Sequence, residues 1–287
     1  MSGSTANCPD WLAERIIEEG GSISFHQYMD WALNDPGYGA YSSGKLKIGP
    51  QGDFATSPSL GSDFAELLAI QLVDWLKRLQ ARNVDNLPLS LIEVGPGEGD
   101  LVFDLVGAIR KISPEIFERL EIIMVEINQA MIVKQKERLS NIRNVPISWF
   151  SFEQLAKKPV IGVVLAHEVL DALPVERVVL SNKILYRQGV AIDQNNSKLY
   201  FNKLPLNNIL QGALLEYESQ IGIKMPPDGA DEGWSSEVHI EIDPWFKNVA
   251  ESLLFGCLLV IDYALESYRY YNNLKSSGTI ASYKNQS

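Results

Sequence analysis

One stretch, LSLIEVGPGEGDL at residues 89–101, constrains the fold of this chain more than any other. A short apolar run carries an acid near its end. Glycines then alternate with other residues, and an apolar pattern with helical spacing follows. This order is typical of a buried parallel strand whose following loop brings a ligand to the N-terminus of the next helix. The stretch therefore predicts an α/β fold with a Rossmann-like sheet.

The glycines of this loop indicate what kind of ligand it holds. Gly95 and Gly97 can adopt positive φ, and we expect Gly99 to let the helix pack tightly on the strand. The spacing is not the G-x-G-x-x-G of dinucleotide-binding proteins, since Asp100 stands where its third glycine would fall. Glu93, just before the loop, suits a ligand with an ammonium group better than a pyrophosphate. We therefore expect S-adenosylmethionine as the ligand, with a plain strand-to-helix connection as the alternative.

A second acid strengthens the prediction of a nucleoside ligand. Residues 120–125, LEIIMV, predict the next strand, and Glu126 follows at its carboxyl end. The interval from the glycines is somewhat longer than the roughly twenty residues usual for a ribose-binding acid. A helical stretch after Ser113 and Pro114 accounts for the extra length. A carboxylate at Glu126 can accept hydrogen bonds from both ribose hydroxyls, whereas the alternative is an ordinary surface acid.

Composition limits the possible partners. A chain of 287 residues with 46% hydrophobic and 9% aromatic residues can bury a core, as one large domain or one domain with an appendage. Its formal net charge of -11 disfavours DNA or RNA as a substrate. That charge favours a cationic partner, such as an arginine or lysine side chain of another protein.

Cysteine and histidine usage argues against a disulfide scaffold and a metal centre. The two cysteines are Cys8 and Cys257, and the three histidines, His26, His167 and His239, lie far apart without metal-ligand spacing. We therefore expect no metal. No apolar run is long enough to span a bilayer, and the first residues lack the pattern of a signal peptide or a basic presequence. The prediction is a cytoplasmic protein without a membrane partner.

The sequence divides into four segments. Residues 1–85 predict a helical and loop-rich cap. Residues 86–176 predict the donor-binding, Rossmann-like half, and 177–235 an inserted, β-rich segment on the substrate side. Residues 236–287 contain a fifth strand and an incomplete C-terminal end.

Alternating strand-like and helix-like patterns after residue 89 predict parallel strands joined by right-handed crossovers. The predicted strands of this sheet are 89–94, 120–125, 145–150, 160–166 and 257–261. Three short patterns in the insertion predict an antiparallel meander: 177–180, 183–187 and 198–201. Residues 241–255 predict the helix that enters the fifth strand.

A second chemical cluster follows the fourth strand. Ligands of open α/β sheets bind outside the carboxyl ends of the strands, so His167, Glu168 and Asp171 are expected to face the ligand. The two carboxylates can hold a guanidinium by paired, charge-assisted hydrogen bonds, and His167 is a candidate base. In the alternative interpretation the carboxylates cap a helix that Pro174 ends, and His167 is a hydrogen-bonded residue at a strand end.

Motifs in this order resemble the MidA family of class I S-adenosylmethionine-dependent methyltransferases. They are DPGYG at 35–39, GDFATSP at 52–58, EVGPGEG at 93–99, EVLDALP at 168–174, VIDY at 260–263 and GTIASY at 278–283. The family is related to the mitochondrial complex I assembly factor that methylates an arginine of a complex I subunit. The resemblance covers nearly the whole chain.

The resemblance implies a class I fold with the methyl donor at the glycine loop and Glu126, and an arginine of a protein as the acceptor. It also implies that residues 52–58 close over the site, where Asp53 or Thr56 would contact the donor. The chain departs from the family at His167, where asparagine is usual, and at Ser59, where an acid is usual.

Family members also continue past the position of Tyr283 with a segment that completes the sheet. We therefore expect the C-terminal end of the sheet to be truncated or completed differently.

These observations favour a methyltransferase that acts on a protein side chain, with arginine as the expected acceptor and respiratory complex assembly as its setting. The second hypothesis is a non-catalytic assembly or binding protein that retains the fold. A third, a nicotinamide-dependent oxidoreductase, is disfavoured by the glycine spacing. The sequence leaves the oligomeric state open.

Overall fold

The computed structural model describes residues 6–43, 61–83, 85, 87–193, 195 and 198–281. They form two compact units, each assembled from separate stretches of the chain. The described residues of the first unit are 6–32, 173–193, 195, 198–242 and 264–281, and those of the second are 33–43, 61–83, 85, 87–172 and 243–263. The units cut across the four segments predicted from sequence order, because N-terminal strands pair with strands of the insertion.

The second unit contains a parallel five-stranded sheet, which confirms the predicted Rossmann-like fold. Its strands, in spatial order, are β11 (Leu253–Ile261), β6 (Val160–His167), β3 (Leu89–Val94), β4 (Leu120–Val125) and β5 (Ile147–Trp149). All six residues of β3 are buried, as expected for a strand covered on both faces. The strand order places β3, the strand before the glycine loop, at the centre of the sheet.

Helices cover this sheet and connect its strands. They are α3 (Asp63–Arg82), α4 (Asp100–Ile112), α5 (Pro114–Phe117), α6 (Gln129–Arg138), α7 (Phe152–Lys157) and α9 (Ile242–Ser252), with a 3-10 helix at Leu170–Ala172. The apolar faces of α3 and α4 bury their side chains in one core with the strands.

The helix before β11 is shorter than the sequence predicts. It ends at Ser252, and β11 begins at Leu253 rather than at Cys257. Leu253 pairs with Val160 of β6, so parallel ladder hydrogen bonds replace helical ones there. The apolar residues at this boundary fit both patterns, and pairing with a long neighbouring strand decides between them.

The first unit is built around an antiparallel sheet. Its path is β1 (Ala6–Asn7), β9 (Lys198–Leu204), β8 (Ile184–Asp193), β7 (Glu176–Ser181) and β10 (Ser235–Val238), and β2 (Ser22–Ser24) also pairs with β8. The helices α1 (Asp10–Glu18), α8 (Asn208–Ile221), α10 (Ser267–Tyr270) and most of α2 (Phe25–Asn34) belong to this unit. The predicted meander is present, and all three of its strands are longer than predicted.

A buried ion pair ties strands β7 and β10 to the segment after α10. The Arg177 Nε donates to Glu237 Oε1 at 3.1 Å, and the two side chains are 10% and 1% exposed. Glu237 Oε2 also accepts the Thr279 N–H at 2.9 Å and the Tyr270 hydroxyl at 3.2 Å. Because both charges are removed from water, each depends on the other and on these hydrogen bonds.

Within the described part of the chain, no helix combines the length and apolar character needed to cross a bilayer.

We expect Glu237→Ala to lower the free energy of unfolding by about 3–5 kcal/mol, because it leaves the Arg177 guanidinium buried without its partner. Urea unfolding followed by circular dichroism measures the change. Asp228→Ala is the control, since the Asp228–Lys224 pair of the same unit is exposed. Its effect should stay within about 0.5 kcal/mol. Equal effects of the two variants would contradict the stabilising role of the Arg177–Glu237 pair.

Candidate active site

The candidate site lies at the carboxyl edge of the parallel sheet. Val94, the last residue of β3, pairs with the last residue of β4 on one side and with Ala166 of β6 on the other. The residues that follow, Gly95, Glu126 and His167, therefore stand in one row. The sheet register brings together residues that are far apart in the sequence.

The glycine loop depends on left-handed backbone conformations. Gly95, Gly97 and Gly99 have φ values of 60°, 53° and 90°. A Cβ on Gly99 would lie 3.7 Å from side-chain atoms of Gln135 and Leu139, which belong to α6 and the residue after it. The expected role of Gly99 in close packing of helix on strand is therefore wrong, because its neighbours are on and beside α6 and its φ is what requires glycine.

The loop leaves room for a ligand to approach its backbone, and the buried Glu93 lies just before it. A Cβ added to Gly97 would meet no atom within 4 Å, so no side chain fills the space there. Glu93 is 4% exposed, and its Oε2 has no hydrogen-bond partner among the described residues. Burial raises the pKa of Glu93 to about 8, although a hydrogen bond from the Val102 backbone opposes this.

Glu126 is held by two donors and keeps capacity for more. Its Oε1 accepts the Asn128 N–H at 2.8 Å, and its Oε2 accepts from Gln135 Nε2 at 3.1 Å. Burial raises the pKa of Glu126, and these hydrogen bonds oppose the shift. Each carboxylate oxygen has a second lone pair, so both ribose hydroxyls could donate to this side chain.

The turn after β6 places Glu168 in a strained backbone conformation. Its φ is 52°, in the left-handed region, and its N–H donates to the Ile261 carbonyl at 2.8 Å. Such conformations persist in non-glycine residues only where the surroundings hold them, and they cluster at functional sites. The strain marks Glu168 as a residue whose position the fold determines.

Asp262 holds this turn, a role that the sequence analysis did not predict. Its Oδ2 accepts the N–H groups of Val169 at 3.1 Å and Leu170 at 2.7 Å, and that of Asp171 at 3.3 Å. A signal existed, since Asp262 follows an apolar strand directly, as Glu126 does. Asp262, rather than Glu168 or Asp171, therefore satisfies the first N–H groups of the turn.

Glu168, Asp171 and Asp262 lie close together, and their negative charges are not balanced by positive side chains of the described residues. Burial, followed by the charges of Asp171 and Asp262, raises the pKa of Glu168, and burial with Asp262 raises the pKa of Asp171. Burial and both acids of the turn raise the pKa of Tyr41 to about 12. Within the described ranges, no lysine or arginine forms an ion pair with Glu168, Asp171 or Asp262. The site therefore suits a cation from another molecule.

His167 borders the same carboxylates. Its Nε2 lies 3.9 Å from Glu168 Oε1, and its ring meets that of Phe64 edge-on at a centroid distance of 5.2 Å. Burial lowers the pKa of His167, while the charge of Asp262 opposes the shift. His167 is therefore favoured as a neutral imidazole at neutral pH.

Two predicted donor contacts, Asp53 and Thr56, lie outside the described residues, as do the rest of the 52–58 loop, Ser59 and Tyr283. Over the ranges that the structure does describe, no group of His, Cys, Asp and Glu side chains could hold a metal ion.

The fold and the site together define a class of protein. A parallel sheet in this order, a glycine loop after its central strand and a carboxylate after the next are the features of class I S-adenosylmethionine-dependent methyltransferases. Residues 67–287 match the model of a family described as "Putative S-adenosyl-L-methionine-dependent methyltransferase". The chain belongs to this family, which confirms the resemblance to MidA proteins.

Solved structures and curated relatives agree with this assignment. A Burkholderia thailandensis protein described as a "likely methyl transferase", bound to S-adenosyl-homocysteine, superposes with a TM-score of 0.70 at 27% identity over 94% of this chain and 65% of that one. Protein arginine methyltransferase NDUFAF7, mitochondrial, from Danio rerio is 29% identical over 66% of this chain and 48% of the relative. The Homo sapiens protein of the same name is 26% identical over 86% of this chain and 57% of the relative.

The chain thus spans about half the length of the curated relatives it matches.

Gly97→Val is expected to abolish donor binding, because a β-branched residue rarely adopts this φ and its methyl groups would enter the free space beside the loop. We expect the dissociation constant for S-adenosylhomocysteine, measured by calorimetric titration, to rise more than about 100-fold. Gly107→Ala in α4 is the control, since an added Cβ there also meets nothing within 4 Å. Unchanged affinity in Gly97→Val would contradict the assignment of the glycine loop as the donor-binding site.

Glu93 should make stability depend on pH. A carboxyl group whose pKa rises from 4.5 to about 8 on folding binds more protons in the native state, so the wild-type protein loses stability as pH rises through this window. Glu93→Gln lacks this titration, and its stability relative to wild type should increase from pH 5 to pH 8 by on the order of a few kcal/mol. Urea unfolding of the ligand-free proteins tests this, and parallel pH profiles would contradict it.

Proposed function

We propose that this chain transfers a methyl group from S-adenosylmethionine to an arginine side chain of a protein substrate. One observation carries the proposal: Glu168, Asp171 and Asp262 gather at the carboxyl edge of the sheet, and no described lysine or arginine pairs with them. Asp262 already accepts backbone N–H groups. Glu168 and Asp171 therefore remain for a substrate cation.

A guanidinium suits this pair of carboxylates better than an ammonium group does. Its planar set of N–H donors can bond two carboxylates at once, which fixes the orientation of the nitrogen that reacts. A bound cation would also lower the pKa of Glu168 and of Asp171, which burial and neighbouring carboxylates, Asp262 among them, raise in the free protein. Binding and ionisation of the site are thus expected to reinforce each other.

The chemistry assigns different tasks to the residues of the site. When bound, S-adenosylmethionine supplies an electrophilic methyl group, so that an N–C bond forms while an S–C bond breaks. The acceptor nitrogen must lose a proton before it has a lone pair to donate, and Glu168 is our candidate to receive it. Asp171 would orient the guanidinium, and His167, as a neutral imidazole, is the second candidate base. Most of the rate enhancement would come from positioning the acceptor nitrogen against the methyl group of the donor.

The relatives support the acceptor and its setting. Proteins 26–29% identical to the chain carry the name protein arginine methyltransferase and the designation mitochondrial. We extend the acceptor class to this chain from these names, and assembly of a respiratory complex from the resemblance to the MidA family, as a proposal. Its cytoplasmic location stays a prediction from the sequence.

The proposal is tested with donor that carries a radiolabelled methyl group and a whole-cell extract as the source of acceptor. We expect a labelled protein band whose acid hydrolysate contains methylarginine. A labelled residue other than arginine would overturn the acceptor class and keep the methyltransferase. Donor binding without labelled protein would favour the non-catalytic hypothesis.

Glu168→Gln should keep donor binding and reduce methyl transfer by about 100-fold or more, because an amide cannot accept the proton. Labelling rate and affinity for S-adenosylhomocysteine are measured on the same preparation. Glu251→Gln, an exposed change on α9, is the matched control and should label its acceptor at the wild-type rate. Equal labelling by both variants would remove Glu168 from the chemistry.

A further inference from the structure

A buried glutamine connects the parts of the donor site. Gln135 lies on α6, and its exposed fraction is 0%. Its Nε2 donates to the Gly97 carbonyl at 2.8 Å and to Glu126 Oε2 at 3.1 Å, while its Oε1 accepts from Trp149 Nε1 at 2.8 Å. One amide thus forms hydrogen bonds to the glycine loop, to Glu126, the carboxylate expected to bind the ribose, and to a side chain of β5.

Trp149 determines which way this amide faces. An indole N–H can only donate, so the oxygen of the Gln135 amide has to face Trp149. The amino group then faces two acceptors, the Gly97 carbonyl and the Glu126 carboxylate. A flipped amide would set an N–H against the indole N–H and an oxygen against both acceptors, losing all three hydrogen bonds.

The contact with Gly97 also orients the next peptide group. In a trans peptide the carbonyl oxygen and the following N–H point in opposite directions, so holding the Gly97 carbonyl turns the Glu98 N–H away from Gln135. Gly97 has positive φ and no side chain to hold it in place. The hydrogen bond from Gln135 therefore restrains the most adaptable residue of the loop.

Two other contacts of α6 are weaker restraints. Lys134 pairs with Glu98 at 2.8 Å, and Arg138 pairs with Asp100 at 2.6 Å. The side chains of both pairs are 39–48% exposed, so solvent and salt screen the attraction. Gln135 itself is fully buried, which shields its amide from solvent, so we expect loss of its hydrogen bonds to be the larger effect.

We propose that Gln135, oriented by Trp149, is a positioning residue that holds Glu126 and the glycine loop in one geometry for donor binding. Neither side chain needs to touch the donor. This inference concerns the donor site alone, so it stands or falls independently of the arginine acceptor proposed above.

The test is a double-mutant cycle of Gln135→Met and Trp149→Phe, read out as the dissociation constant for S-adenosylhomocysteine by calorimetry. We expect Gln135→Met to weaken binding about 10-fold, and Trp149→Phe about 3-fold, since it removes the indole donor and leaves the other two hydrogen bonds of the amide in place. The double variant should bind no more weakly than Gln135→Met, because Trp149 acts through Gln135. Trp75→Phe, in the same hydrophobic core, is the matched control and should bind as wild type.

Thermal melting without ligand separates positioning from stability, and Trp149→Phe keeps the test available if Gln135→Met fails to fold. Affinities of the folded variants within twofold of wild type would overturn the proposal. Additive losses in the double variant would overturn the role of Trp149, and a wild-type chain that does not bind the probe would overturn the donor-site assignment itself.

Discussion

Parallel pairing of β3 with β4 and β6 determines where Gly95, Glu126 and His167 stand. Parallel strands run in one direction, so their carboxyl ends meet at one edge, and the register sets which residues become neighbours there. A slip of one residue would turn each side chain to the opposite face. The burial of all of β3 resists such a slip, and the loop after it therefore meets Glu126 and His167 in a defined row.

The same side-chain chemistry serves opposite purposes in the two units. In the first unit Glu237 is paired with Arg177 and further donors, so its charge is satisfied within the chain. In the second unit Glu168 and Asp171 lie beside Asp262, and no lysine or arginine of the described residues pairs with them. The buried ion pair of the first unit stabilises structure, whereas neighbouring carboxylates without a positive partner in the second unit favour binding of a cation.

Local patterns were sufficient to predict the backbone conformation of the glycine loop. A strand, a glycine loop and a helix are adjacent in the sequence, so the conformations of Gly95 and Gly97 followed from residues beside them. Asp262 could have been found by the rule that found Glu126, because both follow apolar strands. The end of α9 could not, since the residues at Leu253 suit a helix and a strand equally and only pairing with Val160 selects the strand.

The sequence by itself therefore determined the class of fold, the conformation of the glycine loop and the order of the candidate residues, because these depend on short-range periodicity and on the backbone freedom of glycine. Only the tertiary structure decided which groups the supporting residues Gln135 and Asp262 bond. Gln135 lies 38 positions from Gly97 and 14 from Trp149, and Asp262 lies 92 positions from Leu170. Hydrogen bonds over such separations leave no periodic trace in the sequence, since they arise when the register of the sheet brings distant segments to one edge.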